Sequence, residues 1–537
     1  MANAAPADLL SDARLAARFL RGLPRFLRRP LAPGPAGAIL RQRLARRMAD
    51  FLEVARRLIY EHPPSPYRAL LEWAGCQYGD LERLVAREGV ESALSTLLRA
   101  GVYLSVDELK GRQPVVRGAK AFTVEPGQLG NPRASLHVSA WSSGSRGTGT
   151  PILNGLDSIR DRAVNTCLTL DARGGMDWEK GIWAVPGSLT LMLRYAAFGA
   201  PPTGWFSCVD PSTPGLHPRY RWSERALRWG GALAGVRVPL QRHAPPRDPE
   251  AVVQWIRAVL DRGRIPHLWA FPSAAVRAVE AAAEAGVDIR GARLTVTGEP
   301  VTAARLASMR AAGVDAVPDY GSAESGGVVA YGCLSPEAPD DVHVYHDLHA
   351  MAQPGPGGPP ALPSRAVCLS SLRLTSPLIL LNVSMGDQAI LGSRSCGCPL
   401  ERLGWRTHLH TIRSFEKLTA GGVTFLDADV VRVLEETLPA RFGGGPLDYQ
   451  LVEEEAPDGR PRLRLLVHPG LGSVPESVIA DAFLDAITAG SDAARVAGSL
   501  WREMGLPRIE RRSPLTTPGG KILHVHAASA ERPASGG

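Results

Sequence analysis

Apolar residues recur at intervals of three and four over residues 38–60 and 67–101, a spacing that predicts helices, with Gly89 and Gly101 as punctuation near their ends. Residues 107–136 lack either period and are rich in turn formers, and a helical pattern returns at 155–172. From 250 to 317 the pattern is most regular. Helical stretches at 250–262, 273–286 and 301–312 alternate with short apolar runs at 266–271, 292–297 and 314–317. Short apolar strands between helices of this length mean βαβ units around a largely parallel sheet. Ligands of such sheets bind beyond the carboxyl ends of the strands. Two polar stretches fall there, Gly298-Glu299-Pro300 and Asp319–Gly327, both expected to be loops.

Residues 353–363, dense in Pro and Gly, read as a flexible connection. Beyond Arg413 the pattern restarts, with helices at 427–437 and 475–490 and strands at 448–453 and 461–467, enough for a compact α+β unit with its own core. The fold class is therefore α/β: a large N-terminal domain with mixed, largely parallel sheets and flanking helices, then a small mobile α+β C-terminal domain. The expected boundaries are 1–60 for a basic N-terminal arm and helix, 61–412 for the large domain, 413–530 for the small lid domain and 531–537 for a disordered tail. No internal repeat is present.

Charge changes this picture in one place. The chain of 537 residues carries a net +8. Residues 1–60 hold twelve arginines against four acidic residues, so everything after residue 60 balances to zero. A neutral body argues against a nucleic-acid surface. Arg14, Arg18, Arg21 and Arg25 follow helical spacing, with Leu15, Phe19, Leu23 and Phe26 on another side. Such a stretch suits weak contact with an anionic membrane surface or an acidic partner. Because Pro24, Pro30, Pro33 and Pro35 interrupt a helix, a solvated arm lying over the body is the plainer expectation. No apolar run approaches the roughly 20 residues of a membrane span, and no secretory signal is visible, which points to the cytoplasm.

The stretch Trp141–Pro151 packs hydroxyls, glycines and one arginine between apolar flanks. Glycines permit a turn whose N–H groups converge, hydroxyls add donors, and the Arg146 fork suits phosphate oxygens. A polyphosphate cradle and a flexible polar surface loop both have this composition. It is not a Walker A loop, because Thr150-Pro151 stands where Lys-Ser/Thr is required.

Taken in order, the motifs resemble those of the adenylate-forming superfamily of acyl-CoA ligases, adenylation domains and luciferases. The resemblance is strongest to the branch of phenylacetate–CoA ligase and acyl-protein synthetases, and runs from about residue 135 to 525. Ser142, Ser143, Gly144, Ser145, Arg146, Gly147 and Thr148 look like the loop that holds the β and γ phosphates of ATP. Gly298, Glu299 and Pro300 look like the adenine-side loop. Tyr320-Gly321-Ser-Ala-Glu324 is similar to the aromatic-Gly-x-Thr-Glu motif, implying that Tyr320 packs on adenine and Glu324 holds Mg²⁺. The resemblance further places Asp387 at the ribose hydroxyls, Arg413 at a hinge with Phe415-Glu416, and Lys521 of a Gly-Gly-Lys loop at the reacting carboxylate. Lysine is rare here, five of 61 basic residues, so Lys521 is a pointed choice. Three departures stand out: Arg146 where a threonine is usual, with no lysine after the last glycine; Ala323 for Thr/Ser; and Phe415-Glu416 for Asp-Asp.

What the resemblance implies is an ATP-dependent acid–thiol ligase. It would activate an aryl or medium-chain carboxylic acid as acyl-AMP and pass it to coenzyme A, or to a carrier-protein phosphopantetheine or other protein thiol. A non-catalytic ligand-binding homologue is the contrasting expectation. A Gly-x-Ser-x-Gly elbow and the kinase signatures are absent. Trp205, Phe206, Trp269 and Phe271 are candidate aromatics for the acid pocket, or ordinary core.

Seven cysteines without a signal peptide argue against a disulfide framework. Cys333, His343, Cys396 and Cys398 have the number and softness of a closed structural Zn²⁺ site, with His346 and His349 competing for the imidazole place. Reduced thiols without metal are the alternative.

Overall fold

The computed structural model describes residues 6–134, 138–141, 151–185, 188–210, 219–415, 419–420, 423–424, 427–455, 461–489, 498, 501–502, 505–517 and 519–528. A single twelve-stranded sheet organises the large domain. Its strands are β1 (Glu179–Ala184), β2 (Gly204–Ser207), β3 (Arg242–His243), β4 (Pro266–Ala270), β5 (Arg293–Val296), β6 (Asp315–Ser322), β7 (Gly327–Gly332), β8 (Val342–Val344), β9 (His349–Ala352), β10 (Ala366–Ser371), β11 (Val383–Ser393) and β12 (Thr407–Ser414). Their order is β9-β10-β11-β12-β8-β7-β6-β5-β4-β1-β2-β3. From β6 to β3 every pairing is parallel. From β6 to β9 every pairing is antiparallel. The sheet is thus divided between the two modes rather than largely parallel, and β6 is where they meet.

The helices that bear on the site are α1 (Pro6–Leu27), α2 (Pro33–Ala45), α3 (Leu156–Ala172), α4 (Leu189–Ala196), α5 (Arg219–Leu233), α6 (Glu250–Asp261), α7 (Pro272–Glu284) and α8 (Ala303–Ala311). The last three fill the intervals between parallel strands, where the sequence period places helices. The expected helix over 67–101 is broken. A helix ends at Trp73, another begins at Tyr78, and Gly89 kinks the second with a φ of 77°. The stretch Asp319–Gly327 is also more ordered than a loop. Antiparallel pairing carries β6 on to Ser322, and Ser325 closes the turn by donating to the Ser322 and Gly327 carbonyls, 2.8 Å each.

The basic N-terminus is not a solvated arm. Residues 6–27 form one helix despite Pro24. Phe19, Leu23, Phe26 and Leu27 are buried in the same core as α3 and α4, and α1 packs on α5. Burial of four such side chains, on the order of 2 kcal/mol each, outweighs the roughly 3 kcal/mol of a proline within the helix. Arg18, Arg21 and Arg25 remain exposed, but the apolar stripe that a lipid surface would use is already covered. Among the described residues no helix is long and apolar enough to cross a membrane.

The C-terminal unit has its own sheet of β13 (Tyr449–Glu455), β14 (Pro461–Val467), β15 (Arg508–Arg511) and β16 (Val525–Ala528), in the order β15-β14-β13-β16. With α9 (Glu476–Thr488) it encloses a separate core that includes Leu451, Leu465, Phe483 and Trp501.

Candidate active site and a thiol–imidazole cluster

A cavity of about 290 Å³ opens where parallel and antiparallel pairing meet at β6. Its walls come from stretches far apart in sequence: Gly298–Val301 after β5, Pro318–Glu324 on β6 and its turn, Asp387 on β11, and Lys521 from the C-terminal unit. The topology explains the gathering, since strand ends and crossover loops collect at such a switch point.

Tyr320 and Asp387 are joined, the phenol donating to Asp387 Oδ2 at 3.0 Å. Burial, with Asp387 beside it, raises the Tyr320 pKa well above that of a free phenol, so it stays a donor. Glu324 is buried and forms an ion pair with Lys110, Nζ to Oε1 at 3.4 Å. Lys110 follows a one-turn helix capped by Ser105 and lines the same cavity. Sequence reasoning passed over it, although it is one of the five lysines, the signal that singled out Lys521.

Lys521 reaches across the domain boundary. Its Nζ donates to the Gly298 carbonyl at 2.8 Å and stands 4.9 Å from the centre of the Phe271 ring. Two glycines let the loops approach. A β-carbon on Gly298 would lie 3.1 Å from Lys521 Nζ, and one on Gly520 would lie 2.5 Å from the Cys208 β-carbon; both glycines have positive φ.

Two predicted residues have partners within the protein that the sequence did not show. The Glu299 carboxylate is occupied within the protein. It accepts from the Ser273 N–H (2.9 Å) and hydroxyl (2.7 Å) and from the Ile522 N–H (3.2 Å), and pairs with Arg305 at 2.9 Å. It therefore fastens the Lys521 loop while lining the cavity. Arg413 is not on the cavity wall; its Nη1 donates to Asp340 Oδ2 (3.1 Å) and to the Ile412 carbonyl (2.6 Å). Ser142, Ser143, Gly144, Ser145, Arg146, Gly147 and Thr148 lie outside the described residues, as does Glu416. The strands that flank the first stretch, Val138–Trp141 and Pro151–Asn154, pair as an antiparallel hairpin. Of the four candidate pocket aromatics, Trp205 and Phe206 belong to core clusters. Phe271 lies under Lys521, and Trp269 Nε1 donates to Asp319 Oδ2 at 2.9 Å.

On the antiparallel side, Cys333, His343, Cys396 and His408 bring one donor atom each within 4.8 Å of one another. Cys398 Sγ lies 3.2 Å from His343 Nε2, and Cys396 Sγ lies 3.6 Å from it. His343 Nδ1 is fixed on the Trp405 carbonyl at 2.6 Å, which turns Nε2 to the thiols. His408 Nδ1 is held by Asp341 Oδ1 at 2.8 Å, and its Nε2 is buried without a partner. Orientation of one ring nitrogen by a carbonyl or carboxylate is how proteins prepare imidazole for a metal. Three thiols and His343 would hold Zn²⁺ in a closed four-coordinate set, with the His408 ring packed 4.1 Å from that of His343. His346 and His349, the competing residues, are elsewhere; His349 Nε2 stands 3.4 Å from Arg162 Nη1. His408 was unreadable from spacing, because it arrives by pairing with His343 across β8 and β12.

No family model and no curated protein matches the chain. Among solved structures it is similar to 2-hydroxyisobutyryl-CoA ligase in complex with 2-HIB-AMP and CoA, at 17% identity over 90% of this chain and 89% of that one, with a TM-score of 0.47. The anthranilate CoA ligase AuaEII in complex with anthranoyl-AMP matches at 15% identity, 76% and 68% coverage and a TM-score of 0.43. O-succinylbenzoate coenzyme A synthetase from Bacillus subtilis, in complex with AMP, matches at 13% identity, 76% and 71% coverage and a TM-score of 0.43. Likeness at this level leaves the chemistry to be read from the chain's own residues.

Proposed function

We infer that the protein is an ATP-dependent, adenylate-forming acid–thiol ligase. The observation that carries this reading is the convergence of Tyr320, Glu324, Asp387 and Lys521 on one cavity, from four motifs whose order resembles that superfamily. A carboxylate oxygen attacks the α-phosphorus of ATP while the bond to pyrophosphate breaks, leaving acyl-AMP. A thiolate then attacks the acyl carbon, and AMP departs with the electron pair.

The protein's part in the first step is to position two anions and neutralise them. Lys521 Nζ meets the carboxylate, Tyr320 packs on adenine beside the Gly298–Pro300 turn, and Asp387 accepts from the ribose hydroxyls. Ser142–Thr148 hold the outer phosphates. Bound Mg²⁺ supplies further neutralisation of the phosphates, and Glu324, once parted from Lys110, is the carboxylate to hold it. Arg413 acts through Asp340 at the base of the hinge, as a positioning residue. Coenzyme A is the proposed acceptor, with a carrier-protein thiol as the alternative. The cysteine–histidine cluster is proposed as a structural zinc site that braces β7, β8 and β12 behind the cavity.

Acid-dependent release of pyrophosphate from ATP tests the reading. Lys521→Ala should lower kcat at least 100-fold, and free coenzyme A should be consumed in step with pyrophosphate. Pyrophosphate without consumption of coenzyme A would move the acceptor to a protein thiol. No release with any acid would leave a non-catalytic binding protein.

A further inference from the structure

A second cavity, of about 390 Å³, shares no lining residue with the Lys521 cavity among the described residues. It opens between α2, the helix that follows it (Arg47–Ala55), α3 and the turn after β10. Four of its lining side chains are arginines, Arg43, Arg46, Arg160 and Arg373, and two are acids, Asp50 and Asp161.

The acids account for two of the arginines. Arg43, 5% exposed, sets Nη2 2.7 Å from Asp161 Oδ1, and Arg373 sets Nη1 2.7 Å from Asp50 Oδ2. Asp161 Oδ2 also accepts from the Thr375 hydroxyl at 2.5 Å, and Asp347 lies 3.4 Å from Arg43 Nη1. These contacts tie α2, α3 and the β10 turn together and fix two guanidinium groups in the wall. The other two arginines are spare. Arg46 is 64% exposed, and its one carboxylate neighbour, Asp50, stands 3.6 Å away. Arg160 donates to the Arg29 carbonyl at 2.7 Å and, among the described residues, pairs with no carboxylate. Arg43 Nε and Arg373 Nε are buried without hydrogen-bond partners, so even the fixed pair is short of acceptors.

Like charges brought together repel, and arginine cannot shed its proton to escape. Holding the helices requires Arg43 and Arg373 with their aspartates; it does not require Arg46 and Arg160 on the same cavity. The lining keeps an excess of two positive charges, and of one when Asp347 behind Arg43 is counted. Guanidinium forks at such an excess match phosphate oxygens, which they meet two at a time. The volume falls in the range that holds small organic ligands, roughly 300–1,000 Å³.

We propose that this cavity is a binding site for a phosphate dianion, free or carried by a small phosphorylated molecule. Arg46 and Arg160 receive the phosphate oxygens, and Arg43 and Arg373, held by Asp161 and Asp50, complete the positive wall. The site is separate from the one proposed for ATP.

Titration calorimetry on the full chain tests it, with inorganic phosphate, ribose 5-phosphate and ribose as probes. The wild-type protein should bind at least one of the two phosphate compounds, and ribose should give no heat. Tighter binding of ribose 5-phosphate than of inorganic phosphate would assign the site to a phosphorylated molecule, and the reverse to free phosphate. Replacing both spare arginines, Arg46→Gln with Arg160→Gln, should weaken that binding by about 10-fold or more and change the Kd for ATP less than 2-fold. The paired change Arg46→Lys with Arg160→Lys, which keeps the charge and loses the fork, should bind more tightly than the glutamine pair. Unaltered phosphate binding in the glutamine pair would overturn the proposal. So would the absence of heat from both phosphate compounds with the wild-type protein, which needs no variant.

Discussion

At Glu324 the Lys110 ammonium occupies the position in which the proposed reaction needs a bound cation. The Ser142–Thr148 stretch lacks the lysine that the resembling loops carry after their last glycine, and Lys110 brings an ammonium to the cavity. A charge-assisted hydrogen bond of about 1.5–3 kcal/mol corresponds to roughly 10- to 100-fold in affinity. Lys110→Met is therefore expected to raise the KM for ATP by about 10-fold or more and that for the acid less than 2-fold. Equal changes in the two constants would place Lys110 outside the phosphate end. Asp319 offers a second residue-level test. Burial raises its pKa to about 6 from an ordinary 3.8. Raised in the folded state, this carboxyl contributes stability that is full below the unfolded pKa and lost as pH rises through about 6. The loss is on the order of 3 kcal/mol. Asp319→Asn should then raise Tm at pH 8 and have little effect at pH 4, measured by thermal unfolding across the range.

Among the elements, those set by local period were legible and those set by pairing were not. The alternation at 250–317 gave α6, α7 and α8 and the strands between them nearly residue for residue, because each buries a face against one sheet. The extension of β6 to Ser322 was not legible, since it depends on β7 returning beside it. The arm was misjudged for a similar reason: Pro24 is read locally, whereas the partners of Leu23 and Phe26 lie on helices over a hundred residues away. Motif chemistry singled out Tyr320, Glu324, Asp387 and Lys521, which line one cavity. It missed Lys110 and His408, whose roles exist only through a cross-chain contact. The thiol–imidazole cluster joins β7, β8 and β12, so the proposed zinc would act on the stability of these strands. Purified protein should contain about one equivalent of zinc, and Cys398→Ser should lower both zinc content and Tm. Chelation should lower Tm without changing the KM for ATP by more than 2-fold. Less than half an equivalent of zinc, indifferent to Cys398→Ser, would return the cluster to reduced thiols.

For the whole molecule the telling feature is how the C-terminal unit is held. Arg305, on α8, is 1% exposed and pairs with both Glu299 (2.9 Å) and Glu435 (2.7 Å) of the C-terminal unit. His524 and Thr302 also bond Glu435. Arg305 opposes the burial of Glu435 and, with His524, holds its carboxyl down to about 2. This clasp keeps Lys521 at the cavity, the arrangement that the proposed first half-reaction needs. Removing one member of a buried pair costs about 3–5 kcal/mol. Glu435→Gln should accordingly weaken docking of the C-terminal unit and lower the rate of pyrophosphate release. Thioester formation from supplied acyl-AMP, a step in which Lys521 has no proposed part, should be unchanged. A parallel fall in both half-reactions would mean that the variant damages the fold instead.

The close approach of Gly520 to Cys208 has a use of its own. While the C-terminal loop lies across it, the Cys208 thiol is shielded, and burial pushes its pKa up to about 12. An excursion of the lid would uncover this sulfur and bring it back toward ordinary reactivity. Cys208 would thus report on the lid movement expected from the sequence. The rate at which a small alkylating reagent marks Cys208, with ATP, acyl-AMP or nothing bound, would count the time the lid spends away.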